Sequence, residues 1–304
     1  MQPFDHSESI EPSDRTVGPA AAGDRAEVPN REALSVAIAS GKGGTGKSFL
    51  ATNLAIVAAR SGSRCTLVDA DYGLAADHLL LGVSPRRTIQ DLVEGRAAPA
   101  ACLHETPFGV RLVPGTTGVT ELAALGRREL HSIARGLGEW CRESELLLID
   151  AGAGIQSAVI STIVAADAVV LVVQSEIASL TDAYAVLKCL MRRPAPHPRF
   201  GVVVNRATSA EAALASFAKL ADVARRFLGV SLHDLGHVSE EPAVTPRRLG
   251  QPPLVASHPE CRTAVEIRRI LVRLGVMTGG LLGRPRLPTE GIAERMIRQL
   301  PRPA

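Results

Sequence analysis

The residues Gly41-Lys42-Gly43-Gly44-Thr45-Gly46-Lys47-Ser48 join a run of small residues to two lysines and a hydroxyl. Glycines let a loop turn tightly and leave its backbone N–H groups open to anionic oxygens. Gly41 and the downstream Gly46-Lys47-Ser48 fit the Walker A phosphate-loop pattern in full. In that chemistry Lys47 neutralises the β- and γ-phosphates, and the Ser48 hydroxyl ligates Mg²⁺. The helix that follows adds the positive end of its dipole. The implied ligand is Mg-ATP, cradled by Gly41, Lys42, Gly43, Gly44, Thr45, Gly46, Lys47 and Ser48. Lys42 is not needed to hold phosphate within one subunit. It is either a solvated loop lysine or the mark of a subtype.

Three carboxylates are placed to serve such a loop. Asp69 ends one apolar run and Asp71 follows it in Asp69-Ala70-Asp71-Tyr72-Gly73; Asp150 ends another and leads into Ala151-Gly152-Ala153-Gly154. A carboxylate at the C-terminal end of a buried strand points to the ligand edge of a sheet. Asp150, after Leu146-Leu147-Leu148-Ile149, fits a Walker B acid that holds Mg²⁺ directly or through water. The candidate metal set is Ser48, Asp69 and Asp150. Gly154 offers a backbone N–H to the γ-phosphate. Asp71 is the better candidate to orient attacking water, because the segment after it reads as a mobile switch loop. Each Asp also fits the alternative role of a helix N-cap.

The elements that must position these groups are legible in the apolar pattern. Strand-length apolar runs at 34–40, 65–69, 110–113, 145–150, 168–173 and 200–205, with a weaker one at 231–237, alternate with helical patterns at 48–60, 127–142, 158–165, 180–192 and 211–227. Strands apolar along their whole length are buried on both faces. Alternated with helices, they predict a single α/β domain, a mostly parallel sheet flanked by helices on both faces. That domain is expected to span 34–275, after a disordered leader at 1–33 rich in Pro, Ser, Gly, Asp and Glu. A Gly-, Pro- and Arg-rich linker at 276–290 and a short amphipathic segment at 291–304 follow.

Bulk properties exclude several classes. The chain has 304 residues, a net charge of +3 and 21% charged residues, which does not point to a dedicated nucleic-acid binder. The cysteines, Cys65, Cys102, Cys141, Cys189 and Cys261, include no closely spaced pair, which argues against a disulfide framework and against an Fe–S carrier on this fold. No apolar h-region or membrane-length run is present, so the expected location is cytoplasmic, with any membrane contact peripheral on the cytoplasmic face of the inner membrane.

Taken together, Lys42–Ser48, the Asp69–Gly82 stretch, the Ser179–Lys188 stretch, Val202-Val203-Val204-Asn205-Arg206 and Gln251-Pro252-Pro253-Leu254-Val255 resemble the MinD/ParA group of P-loop ATPases, and within it the FlhG (FleN) branch that sets flagellar number and placement. The resemblance implies an ATP-dependent homodimer in which Lys42 reaches the partner's phosphates, Asp71 positions the hydrolytic water and Asn205 reads the adenine. A simple cap at a strand-to-loop turn is the other role open to Asn205. It also implies a flagellar GTPase or a basal-body protein as partner. The sequence departs from the branch in three places. Residues 1–33 lack the Asp-Gln-Ala-x-x-Leu-Arg element that activates a partner GTPase, position 49 is Phe49, and Asp150-Ala151-Gly152-Ala153-Gly154 lacks the proline seen in many MinD sequences.

Ile292, Met296, Ile297 and Leu300 fall on one helical face, with Arg295, Arg298 and Arg302 on and beside it. Two roles are open to this stripe: a membrane-targeting helix implied by the resemblance, or a helix packed back on the domain. The competing function is a ParA/MinD-like ATPase for DNA partition, or for cell division or other polar positioning. For DNA, Arg192-Arg193, Arg225-Arg226, Arg247-Arg248 and Arg268-Arg269 are the candidate contacts, although the small net charge makes DNA an unexpected partner.

Overall fold

The computed structural model describes residues 31–116, 125–240, 251–284 and 286–300. The expected leader, apart from its last three residues, lies outside them, as do Arg247, Arg248 and Arg302.

The apolar runs form the centre of an eight-stranded sheet in the order β3-β4-β2-β5-β1-β6-β7-β8. The strands are β1 (Leu34–Ala39), β2 (Cys65–Ala70), β3 (His104–Glu105), β4 (Arg111–Val113), β5 (Leu146–Ala151), β6 (Ala168–Val173), β7 (Arg199–Ala207) and β8 (Leu232–Ser239). Every pairing is parallel except that of the short edge strand β3 with β4. β1, β2, β5 and β6 are buried at every position, as their predominantly apolar composition requires.

Successive side chains of β1 feed two separate cores. Leu34, Val36 and Ile38 pack into one with α1 (Lys47–Arg60) and α9 (Arg262–Met277). Ala37 and Ala39 face the other, which holds α3 (Ile89–Val93), α4 (Arg127–Arg142), α5 (Ser157–Ala165), α6 (Ile177–Met191) and α7 (Ala210–Leu228). Two short helices, α2 (Asp77–Leu80) and α8 (Leu254–Ser257), lie at the loops. The sheet flanked on both faces is the expected architecture; β3, α9 and the short helices α2, α3 and α8 are additions to it.

The last described helix, α10 (Ile292–Arg298), packs against α4 and α5. Ile292, Met296 and Leu300 are buried in the core, and only Ile297 of the stripe is substantially exposed. Arg295 is buried as well: it pairs with Asp167 at 2.9 Å and donates to the Ala165 carbonyl at 2.7 Å. Of the two roles open to this stripe, the described residues take the packed one. An amphipathic stripe buries its apolar face against whatever apolar surface is nearest, and here that surface is the groove between α4 and α5. The expected linker is tied down too. Glu32 and Arg286 form an antiparallel bridge, Arg286 pairs with Asp167, and Glu32 accepts the Ile292 N–H at 3.1 Å. Among the described residues no helix is long and apolar enough to cross a membrane.

Candidate nucleotide site

The glycine loop leaves the C-terminal end of β1 and enters α1 at Lys47. Gly46 caps that helix in the left-handed region, at φ 89°. A side chain there would be strained, and a Cβ would stand 2.0 Å from Asn205 Nδ2. Gly41 is equally constrained, since a Cβ would meet the Asp182 backbone at 2.3 Å. The loop is thus wedged between α6 and the end of β7.

Parallel register brings the carboxylates together. β2 and β5 pair with Asp69 beside Asp150, so two residues 81 positions apart reach the same edge. Lys47, nearly buried, donates to Asp150 Oδ1 at 2.7 Å, and Ser48 also bonds Asp150. Asp69 is not a helix N-cap; its carboxylate ties down the turn that leads into α2. Its Oδ2 accepts the N–H groups of Ala76 and Asp77 at 3.0 Å, and its Oδ1 accepts that of Asp71 at 3.2 Å.

Asp77 joins this group without any sequence signal. One oxygen each from Asp69, Asp77 and Asp150 lie within 4.8 Å of one another, and all three residues are buried. Burial pushes the Asp69 carboxyl up to about 7, with the Asp150 charge adding to it. Asp77 is held well above the usual carboxylate range by burial and by Asp150 and Asp69. Burial also raises Asp150, against the pull of Lys47. Desolvation would lower Lys47, but the Asp150 carboxylate outweighs it and keeps the ammonium charged.

Asp150 Oδ2 and both Asp77 oxygens have no hydrogen-bond partner among the described residues. Buried orphan oxygens beside a phosphate loop fit a hard divalent cation, which takes oxygen ligands. Ser48, Asp69 and Asp150 are the residues that would hold it.

The remaining expected residues are distributed around this centre. Asp71 is partly buried and its Oδ1 accepts the Gly73 and Leu74 N–H groups at 3.3 and 3.0 Å, which shapes the loop after β2. Gly154 directs its N–H to the Ser40 carbonyl at 3.1 Å rather than into the loop. Asn205 donates to the Thr45 carbonyl at 2.7 Å and accepts the Arg206 N–H at 2.9 Å. The bond to Thr45 braces the glycine loop from the end of β7, and the bond from Arg206 is local to the turn after it. Lys42 stands at the surface and pairs with Glu176 at 3.0 Å.

A family model, the CobQ/CobB/MinD/ParA nucleotide binding domain, matches residues 36–245. The chain belongs to that family. Among MinD/ParA-type relatives, it is 34% identical over 262 residues to the antiactivator FleN of Pseudomonas aeruginosa, across 86% of this chain and 92% of that protein. It is 30% identical over 210 residues to the flagellum site-determining protein YlxH of Helicobacter pylori, across 67% of this chain and 68% of that one. A solved MinD from Pyrococcus horikoshii OT3, complexed with Mg-ADP, superposes with a TM-score of 0.66 at 26% identity, over 80% of this chain and 96% of that one.

Two contributors escaped the sequence reading. Gln174 at the end of β6 reaches the Gly44 carbonyl at 3.4 Å, and Glu176 holds Lys42. Both follow an apolar strand, which is the signal that marked Asp69 and Asp150.

Proposed function

We propose that this chain is an ATP-driven dimerising switch that regulates flagellar number or placement. The observation that carries the dimer is the setting of Lys42. The lysine is half-exposed at the sheet edge, where Leu74 and Ile155 in the loops after β2 and β5, and Ile177 at the start of α6, stand at 80%, 55% and 81% exposure. Apolar side chains standing that far into water beside a ligand site mark a surface meant to be covered.

In the proposed cycle Lys47 leaves Asp150 for the β- and γ-phosphates of ATP. Lys42 leaves Glu176 and reaches the phosphates of the second subunit. Asp150 and Asp69 hold the cation, with Ser48. When bound, Mg²⁺ neutralises charge on the phosphate oxygens. Asp71 orients the attacking water, and Gly154 turns its N–H from Ser40 to the γ-phosphate. Slow hydrolysis resets the dimer. Asn205 releases Thr45 if it is to meet the adenine.

The flagellar process is supported by the likeness to FleN and YlxH. The expected partner is a flagellar GTPase or basal-body protein, and the expected location is the cytoplasm. The DNA alternative has little support, because four of the six described candidate arginines are engaged locally. Arg225 and Arg226 both pair with Asp222, Arg268 pairs with Glu260, and Arg193 donates to the Gln299 carbonyl.

Size-exclusion chromatography with light scattering tests the switch. Wild type should double its mass with Mg-ATP, Asp71→Ala should accumulate as dimer, and Lys42→Ala should stay monomeric. Lys47→Ala should lose binding of a fluorescent ATP analogue. A constant mass with and without ATP would sink the dimer. A deletion strain with normal flagella and poor plasmid retention would transfer the protein to partition.

A further inference from the structure

Asp77 has no part in the cycle above, yet it is fully buried and neither of its oxygens has a hydrogen-bond partner among the described residues. It opens α2 directly beneath the Asp69 carboxylate, which accepts the Asp77 N–H. The side chain faces its two neighbours, since its ligand oxygen lies within 4.8 Å of one from Asp69 and one from Asp150. Lys47 occupies Oδ1 of Asp150 and leaves Oδ2 unpaired. Three enclosed carboxylates therefore share a single ammonium group.

A buried, unpartnered carboxylate is costly, and a cluster of them more so. A second lysine or arginine would relieve it, but Lys47 is the only one that an ion pair brings to these residues among those described. Hard divalent cations take several oxygens in a flexible arrangement and satisfy carboxylates from separate segments at once. Asp69 still has acceptor capacity on Oδ1, which receives one hydrogen bond.

We infer that Asp77 completes, with Asp69 and Asp150, a carboxylate site that holds a divalent cation of the Mg²⁺ class before any nucleotide arrives. ATP then meets a cation already in place. The inference rests on the nucleotide-site reading for where that ion meets phosphate, but the ion's binding needs no nucleotide.

The test uses the full chain stripped of nucleotide and titrated with Mn²⁺, free ion being followed by electron paramagnetic resonance. Wild type should bind a single Mn²⁺ that excess Mg²⁺ displaces. Asp77→Asn keeps the side-chain shape and should weaken Mn²⁺ by at least about tenfold, the scale of losing one partner at a metal site. Mn²⁺ alone should raise the melting temperature of wild type and leave that of Asp77→Asn unmoved. The wild-type titration is decisive even if the variant folds poorly. Wild-type protein that binds the fluorescent ATP analogue with Mg²⁺ but no Mn²⁺ without nucleotide overturns the inference and leaves the proposed function standing. Equal Mn²⁺ affinity in wild type and a folded Asp77→Asn also overturns it. Mn²⁺ bound by wild type and lost in the variant, with no ATP binding in either, supports the cation site and sinks the proposed function.

Discussion

Met296→Ala distinguishes a helix that completes the core from one that serves a membrane. Met296 is fully buried in α10, between α4 and α5, and Ile292 beside it is equally enclosed. Deleting a buried Met side chain in a core costs about 2–5 kcal/mol, depending on how far the site collapses. α10 covers the groove from one side only, so its backbone can settle inward, which favours the lower part of the range, about 2–3 kcal/mol. For a body of this size each kcal/mol moves the melting temperature by about 2–4 °C, so the expected fall is about 4–12 °C. Far-UV circular dichroism reads the melt. A urea titration should show a lower midpoint at unchanged slope, the mark of lost stability in a two-state transition. Ile297→Ala serves as the control: Ile297 is 37% exposed and its truncation should move the melt far less. A membrane helix would behave oppositely, with Met296→Ala leaving the melt intact and abolishing vesicle binding. An unchanged melting temperature in Met296→Ala refutes the packing argument.

Glu176→Gln removes the surface pair that holds Lys42, a contact worth about 0.2–1 kcal/mol at such exposure. If Lys42 must leave it to cross the dimer, the ATP-bound dimer should tighten by up to about fivefold, read from the concentration dependence of light-scattering mass. A weaker dimer would make Glu176 part of the contact instead. Burial pushes the thiols of Cys65 and Cys141 up to about 12 and that of Cys102 up to about 11. Thiolates are the reactive form, so near pH ~8 a disulfide reagent should modify Cys189 and Cys261 quickly and the other three only on unfolding. Five fast thiols in the native protein would contradict the packing around β2 and α4.

The parts of this fold legible in sequence are those where one chemical pattern has one structural solution. β1, β2, β5 and β6 are apolar at nearly every position because both faces are covered, and the loop glycines mark a conformation other residues resist. α9 was missed because arginines at 262, 268, 269 and 273 interrupt its apolar stripe, although Ala264, Ile267, Ile270, Leu271 and Leu274 all point into the core. The stripe of α10 was legible, but periodicity gives a face and not its destination. Asp69 and Asp150 were found because each ends an apolar strand. Asp77 ends none. Its place beside them depends on the turn from β2 into α2, which no local pattern encodes.

The staple of Glu32, Asp167, Arg286 and Arg295 has a consequence for how the protein is made. During synthesis the phosphate loop, Asp69, Asp77, Asp150 and Asn205 all leave the ribosome before α10. Domains begin to fold as they emerge, so the nascent chain can gather the glycine loop and its carboxylates while the groove between α4 and α5 still stands open. Half-buried Asp167 then lacks the two arginines that pair with it, and the apolar walls meant for Ile292, Met296 and Leu300 face water. A chaperone that recognises exposed apolar surface has its target there, on a chain already equipped to bind nucleotide.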